Sequence, residues 1–215
     1  MLYGCWINGD NTKDEWGLVL AADVKIDAPE KKTNYVDIPG ADGSLDMSDY
    51  PQGRPTYKNR NISFNLFKRT NEVELDEIRT GLRQLYHGKR VRLVLPNDTE
   101  HYFIGVMSIG NASGYHSCII PVSMTADPHK LRLDPTEVVV AVSGSRTVQL
   151  QNENKPVCPT ISTDAEVTIY FGDSSVTLSA GNNQTIPAFI LEGGYTAITL
   201  AGNATVTFNY QEGTL

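Results

Sequence analysis

The sequence has few cysteines, no long hydrophobic run and no recognisable secretion signal. Only 3 of its 215 residues are cysteine, an odd number that cannot pair fully within the chain and fits no dense disulfide framework. The longest apolar stretches, such as Val138–Val142, fall far short of the ~20 residues that cross a bilayer. The first residues lack the basic and apolar regions of a signal peptide. We therefore expect a protein made in a reducing cytoplasm, with no membrane partner.

Positive charge and catalytic motifs are also scarce. The chain has 18 Lys and Arg against 25 Asp and Glu, a formal charge of −7, whereas sequence-specific binding of nucleic acid needs a concentrated positive face. No G-x-S-x-G elbow, phosphate-binding loop, G-x-G-x-x-G fingerprint or H-E-x-x-H helix is present. We therefore expect no sequence-specific nucleic acid partner, no enzymatic activity and no cofactor.

Charged residues and threonines are distributed unevenly along the chain. The first 135 residues hold 18 acids and 16 bases, whereas the last 80 hold seven acids and two bases. Threonine, a β-branched residue that suits half-exposed strands, rises from seven to 12 between the same segments. The change falls at a charged connector bracketed by Pro128 and Pro135. We predict two domains, residues 1–133 and 134–215.

Short β-like runs separated by turn signals dominate both domains. Asn61–Leu66 alternates apolar and polar residues, and Asn8-Gly9 favours a tight hairpin turn. In the second domain, turn signals that include Ser143-Gly144 and Gly202-Asn203 divide seven predicted strands: Glu137–Val142, Arg146–Leu150, Val167–Phe171, Ser175–Leu178, Gln184–Ile190, Ala197–Ala201 and Thr205–Tyr210. The pattern predicts a mainly β fold of two β-sandwich domains, the second a small jelly-roll-like sandwich.

One segment, about residues 71–88, has the pattern of a helix instead. Asn71 is a suitable N-cap, and Gly88 is a suitable end. Gly81 in the helix interior costs about 1 kcal/mol relative to Ala, so we expect a close packing contact there. The apolar side chains that form one stripe are Leu75, Ile78, Leu82 and Leu85. The sequence thus predicts one helix that covers the apolar face of the first domain.

Three groups of residues raise functional alternatives. His116 and Cys118, two apart on a predicted strand, could act as metal ligands or as a base and nucleophile, although a buried thiol beside a strand-end imidazole is the simpler interpretation. Turn formation explains an acidic run better than a calcium loop, because the EF-hand register is missing: Asp37, Asp42, Asp46 and Asp49. Five aromatics could form a sugar platform, although at alternate positions of strands core or interface residues are the commoner interpretation: Phe171, Phe189, Tyr195, Phe208 and Tyr210. A carbohydrate-binding module that contacts cell-wall glycans therefore stays open as an alternative function.

The most specific signal is the segment Tyr35–Phe64, which reads YVDIPGADGSLDMSDYPQGRPTYKNRNISF. It resembles the distal tail protein (Dit) family of siphophages and related prophages, in which V-x-I-P-G-x-D-G-x-L-D precedes a glycine, a tyrosine and an N-R pair. The matching residues are Val36, Ile38, Pro39, Gly40, Asp42, Gly43, Leu45, Asp46, Gly53, Tyr57, Asn59 and Arg60. The helix ending Leu85–Lys89 and the junction Asp127, Pro128, His129 and Lys130 are also similar. The resemblance spans most of residues 1–135 and is only architectural beyond them.

The residues of this segment allow two interpretations. Pro39-Gly40 and Asp42-Gly43 predict a sharp turn in a projecting hairpin, whose edges and side chains could contact a neighbouring subunit. Arg60 could pair with Asp42 or Asp46 of its own or an adjacent chain. An ordinary solvent-exposed hairpin with a local salt bridge fits the sequence equally well. The resemblance favours the subunit contact.

The resemblance also implies a function. Dit proteins form a ring, usually a hexamer, at the tail tip of the virion, between the tail tube protein and the tail-associated hub protein. Their second, galectin-like domains offer docking surfaces for a receptor-binding protein or other baseplate proteins. By this likeness we expect a structural protein of a phage or prophage tail, assembled in the cytoplasm of the bacterial host, without catalytic residues, cofactor or metal.

Overall fold

The computed structural model describes residues 3–21, 23–51, 53–69, 71–111 and 118–215, with the side chains of all of these except Glu72 and Cys118. The contacts divide the chain into two compact units, Met1–Pro128 and His129–Leu215, here named the N-terminal unit and the C-terminal unit. Within the described ranges, no helix is both long enough and apolar enough to cross a bilayer.

The described residues of the N-terminal unit form ten strands and two helices. In chain order these are β1 Trp6–Ile7, β2 Asp10–Asn11, α1 Thr12–Trp16, β3 Val19–Leu20, β4 Lys25–Ile26, β5 Tyr35–Asp37, β6 Ser44–Asp46, β7 Arg60–Lys68, α2 Glu72–Tyr86, β8 Arg90–Leu95, β9 Asp98–Ile109 and β10 Cys118–Ala126. The main antiparallel sheet has the order β2-β1-β8-β9-β10-β7-β3, with β4 also paired to β7. Among the described strands, β5 and β6 pair only with each other and form a separate ribbon, which we name the arm.

The predicted alternation on β7 places one face of the sheet in the core. Ile62, Phe64 and Leu66 are buried, whereas the intervening Ser63 points to the opposite face. The Asn8-Gly9 turn joins β1 to β2 as predicted, and both of its residues have positive φ angles, 55° and 103°. Such angles define the tight turn whose twist matches that of the flanking strands.

Helix α2 covers this apolar face and begins at the predicted cap. The Asn71 side chain accepts a hydrogen bond from Glu74 N at 2.9 Å. Leu75, Ile78 and Leu82 pack in the core, but the predicted Leu85 is exposed and Tyr86 is buried in its place. At 100° per residue Tyr86 falls about 20° from Leu75 on the helix surface, whereas Leu85 falls about 80° away.

A short second helix, α1, was not predicted. Asn11 caps it, since its side chain accepts a hydrogen bond from Lys13 N at 2.9 Å, and Gly17 ends it with φ of 65°. Five residues are too few for an apolar period to be visible in the sequence. The helix matters for packing because Trp16, at its end, lies against Gly81 of α2, as the glycine in the interior of α2 led us to expect.

The C-terminal unit is β throughout its described length. Its strands are β11 Lys130–Arg132, β12 Thr136–Asn152, β13 Thr160–Thr163, β14 Val167–Phe171, β15 Ser174–Leu178, β16 Gly181–Thr185, β17 Gly194–Tyr210 and β18 Gly213–Thr214. The main sheet has the order β15-β14-β17-β13-β16, with β12 paired along β17, and β11 pairs with β18 outside this sheet. The mainly β fold is therefore confirmed, but β11, β13 and β18 were missed, and the strand predicted at Gln184–Ile190 begins and ends earlier, as Gly181–Thr185.

Two of the turns predicted inside this unit are wrong. Strands β12 and β17 run through Ser143-Gly144 and Gly202-Asn203 as 17-residue strands in continuous antiparallel register. Gly144 pairs with Gly202, and both have positive φ angles, 82° and 146°. Because the two glycines are paired, both strands can distort at the same position and keep their hydrogen bonds. The residues that predicted a turn in each strand instead form a local irregularity within one sheet.

The edge of β17 opposite to β12 pairs with two different strands, one on each side of the Gly144–Gly202 pair. Residues 199–202 pair with β14, and residues 206–209 pair with β13. Both halves contribute to one core, through Leu200 on one side and Val206 and Phe208 on the other. Side chains of β17 with odd numbers consequently point outward along the whole strand, from Tyr195 to Asn209.

Candidate functional site

The ribbon of β5 and β6 has an apolar face with no core of its own beneath it. Val36 lies directly opposite Leu45, and Ile38 follows Val36 on the same face. The three side chains are 45%, 50% and 49% exposed. An isolated two-stranded ribbon is marginally stable in water, and a cluster of half-exposed aliphatic residues is a typical protein-binding surface. We name these three side chains the arm patch.

The turn that joins the two strands is built from the predicted residues. Ala41 N donates to the Ile38 carbonyl at 3.1 Å, across Pro39 and Gly40. Gly40 and Gly43 have φ angles of 83° and 78°, a region that favours glycine. Pro39, Gly40, Asp42 and Gly43 are all exposed, so the turn forms the exposed end of the ribbon.

The polar face and the base of the arm are held by local hydrogen bonds. Ser44 Oγ donates to Asp37 Oδ1 at 2.5 Å, and Ser48 N donates to Asp46 Oδ1 at 2.9 Å. The hydrogen bonds from Ser48 lower the pKa of Asp46 below its usual value. Asp49 forms an ion pair with Lys31 at 2.9 Å, which raises the pKa of the lysine. Three of the four acids in the run considered as a calcium loop are therefore partnered within the arm or at its base. Within the described ranges, no His, Cys, Asp or Glu side chains converge in threes as metal ligands.

Two exposed tyrosines of the same segment were not among the predicted contact residues. Tyr35 is 59% exposed at the start of β5, and Tyr50 is 73% exposed beyond β6. Tyrosine is enriched in protein interfaces because its ring is large and its hydroxyl tolerates water. Their presence beside V-x-I-P-G could have been used as a signal. Tyr57, which was predicted, is half-buried and bridges to Lys31 at the base of the arm.

Within its own chain Arg60 does not pair with Asp42 or Asp46, the partners considered from the sequence. Its side chain is buried, Nη2 donates to the Pro128 carbonyl, and the guanidinium lies over the Phe103 ring, 5.6 Å from the centroid. Burial lowers its pKa. Arg60 therefore holds the end of its own N-terminal unit.

The predicted junction residues divide between the two units. Asp127 N donates to the Ile104 carbonyl at 2.8 Å, and the Asp127 carboxylate pairs with Arg90. Pro128, held by Arg60, is the last residue of the N-terminal unit. His129 and Lys130 belong to the C-terminal unit, where Lys130 pairs with Thr214.

His116 and the side chain of Cys118 lie outside the described residues. Cys5 is buried in the core, and burial raises its pKa to about 11, so the thiol is protonated at neutral pH. His87 Nδ1 accepts a hydrogen bond from Ile109 N at 3.0 Å, a structural role at the end of α2.

The five aromatics proposed as a sugar platform separate into two groups. Phe189, Phe208 and Tyr210 are buried, and Phe171 packs 5.0 Å from Phe189 in the same core, measured between ring centroids. Tyr195 alone is well exposed, at 70%. Phe208 and Tyr210 have even numbers on β17 and so face inward, whereas Tyr195 has an odd number and faces outward. The core interpretation is right for four of the five.

Comparison with known proteins bears on the fold. The chain matches no protein-family model and no curated protein sequence. It is similar to the solved structure of the SPP1 Dit (gp 19.1) protein over 100% of both chains, with a TM-score of 0.66 and 16% sequence identity. That protein is described as a paradigm of the hub adsorption apparatus in phages that infect Gram-positive bacteria. The chain therefore has the fold of a phage distal tail protein, as the segment Tyr35–Phe64 led us to expect.

Proposed function

We propose that the protein is a structural component of a phage or prophage tail tip, in which several copies form a ring. The single observation that carries the proposal is the arm patch, an exposed apolar ribbon face on a chain with a Dit-like fold. A phage tail role is also in keeping with what is described for the SPP1 protein of similar fold.

The energetics of the arm patch favour a protein partner. Full burial of an aliphatic side chain is worth about 1.5–3 kcal/mol, so covering three that are half exposed contributes about 3 kcal/mol per contact. A second copy of the chain supplies the simplest partner, because an arm that docks on a different surface of its neighbour makes a heterologous contact. Contacts of this type close into rings by rotation.

The remaining features of the proposal follow the Dit resemblance. The ring, a hexamer in that family, joins the tail tube protein to the tail-associated hub protein at the virion tail tip and is assembled in the host cytoplasm. The C-terminal unit then serves as a docking surface for a receptor-binding or accessory protein. The proposed role is non-enzymatic.

Electron microscopy tests this proposal in two steps. The purified full chain should give closed rings with a central opening in negative stain, and a gold-labelled antibody against it should decorate the tail tip of intact virions. Decoration of capsids or of the host cell wall alone, or particles of single-copy size at every concentration, would contradict a ring-forming tail protein.

A further inference from the structure

Two exposed tyrosines lie on the outward face of the C-terminal unit, on adjacent strands. Tyr170 of β14 pairs with Thr199 of β17, and Tyr195 lies four positions before Thr199 on β17, about 13 Å along the strand. Tyr170 is 47% exposed and Tyr195 is 70% exposed. Between them β17 presents only the small outward residues Thr199 and Ala197. We name this surface the tyrosine trough.

The neighbouring strand β12 forms the second side of the trough with amides. Gln149 pairs with Ala197, and Gln151 pairs with Tyr195, so both glutamines point outward beside the floor. Each glutamine amide provides two donors and one acceptor group. The trough therefore combines two rings, a small-residue floor and two neutral hydrogen-bonding side chains.

The outward strand positions beside the trough carry no charge. Apart from the trough residues, the outward positions in the half of the sheet that contains β14 and β15 are small or hydroxylated: Ser145, Thr147, Thr168, Ser175, Thr177 and Ala201. Hydroxyl pairs lock some of them in place, with Thr147 and Thr199 Oγ1 atoms 3.0 Å apart and Thr168 and Thr177 Oγ1 atoms 2.8 Å apart. The closest charges in sequence are Glu153, two residues after Gln151, and Arg146, which lies between Ser145 and Thr147 at an even-numbered, inward position of β12.

We propose that the tyrosine trough binds a neutral glycan. The face of a tyrosine ring stacks on the apolar face of a sugar, and neutral amide and hydroxyl groups exchange hydrogen bonds with sugar hydroxyls without the desolvation cost of a charge. Protein partners are less well matched, because the outward positions in this half of the sheet carry no large aliphatic side chain for a hydrophobic contact. Anionic polymers are not matched either, because no outward position named here holds a base.

This site goes beyond the proposed ring, and it does not depend on ring formation. It also differs from the five-aromatic platform considered from the sequence, since Tyr170 was not among those residues and Tyr195 alone is shared. The signal for Tyr170 was its alternation with the buried Val167 and Ile169 on β14.

Titration calorimetry of the full chain tests the proposal, with neutral tetrasaccharides of glucose, galactose and N-acetylglucosamine as probes and a tetrasaccharide of galacturonic acid as the anionic comparison. At least one neutral probe should bind, and the anionic probe should bind more weakly. Loss of one stacking ring by Tyr170→Ala or Tyr195→Ala should weaken binding about tenfold. Tyr195→Phe, which keeps the ring, should stay within about threefold of the wild type.

Tyr50→Ala is the matched control, because Tyr50 is equally exposed but lies on the N-terminal unit. It should leave affinity unchanged, and a thermal melt of each variant should match the wild type because the replaced side chains are exposed. The proposal is overturned if no neutral probe binds at about 10 mM, or if the Tyr170→Ala, Tyr195→Ala double variant binds as tightly as the wild type.

Discussion

Gly81→Ala provides a quantitative test of the packing between the two helices. A Cβ atom added at Gly81 would lie 2.8 Å from Cη2 and 2.9 Å from Cζ3 of Trp16, closer than real Cβ contacts come. Alanine gains about 0.8–1.0 kcal/mol in helix propensity. Overpacking against a ring held in the core costs about 1–3 kcal/mol. We therefore expect a net loss of about 1 kcal/mol in the free energy of unfolding.

Tryptophan fluorescence during guanidinium denaturation isolates this effect. The chain has 2 tryptophans, Trp6 and Trp16, and both lie in the N-terminal unit, so their emission reports the unfolding of that unit alone. In a Trp16→Leu background the obstructing ring is gone, and the same Gly81→Ala change should then stabilise by about 1 kcal/mol, with Trp6 as the probe.

The reversal of sign is the decisive feature of this experiment. Thr80→Ala, at an exposed neighbouring position of α2, is the control for helix propensity alone and should stabilise slightly in both backgrounds. The reasoning is refuted if Gly81→Ala stabilises the otherwise wild-type protein by the full propensity gain, because the contact with Trp16 would then be absent.

Three further changes have defined expected outcomes. Arg60→Lys should lower the free energy of unfolding of the N-terminal unit by about 2 kcal/mol, because a charge-assisted hydrogen bond to the Pro128 carbonyl is lost. Tryptophan fluorescence measures this loss, and ring assembly should persist. An effect on assembly alone would contradict the intramolecular role. Gly105→Ala should prevent soluble folding, since its Cβ would lie 2.2 Å from the Thr125 carbonyl oxygen; a soluble variant with native fluorescence would disprove this. Burial first, and then Glu212, raises the pKa of Tyr210 to about 12, so the folded chain keeps a proton that the unfolded chain loses near pH 10. Stability should be unaffected by this group below about pH 10 and fall from there to about pH 12; circular dichroism should show a shallower alkaline loss in Tyr210→Phe, and an equal loss would refute the assignment.

Local signals predicted the elements whose stabilising contacts are close in sequence. The Asn71 cap, the α2 stripe up to Leu82 and the Asn8-Gly9 hairpin each depend on residues within one turn or one strand pair. The same holds for the arm, in which Pro39 and two glycines shape the turn.

Contacts distant in sequence account for what was missed. Arg60 binds a carbonyl 68 residues away, so no local pattern could show that it is buried. Gly144 and Gly202 each predict a turn from the local sequence, because their pairing across two long strands involves residues far apart in the chain. Because β17 is one unbroken strand, odd-numbered and even-numbered side chains point to opposite faces along its whole length. This alternation decides that Tyr195 faces outward and Phe208 faces the core.

Native mass spectrometry of the full chain tests the central claim most directly, by counting the copies held together through the arm patch. The wild type should give the mass of a closed ring, and the Val36→Asp, Leu45→Asp double variant should give single copies, because two charges replace an apolar contact. Val73→Asp, which changes an exposed valine of α2 outside the arm, should keep the ring. A wild type that stays monomeric at every concentration, or a double variant that still forms the ring, would contradict the account.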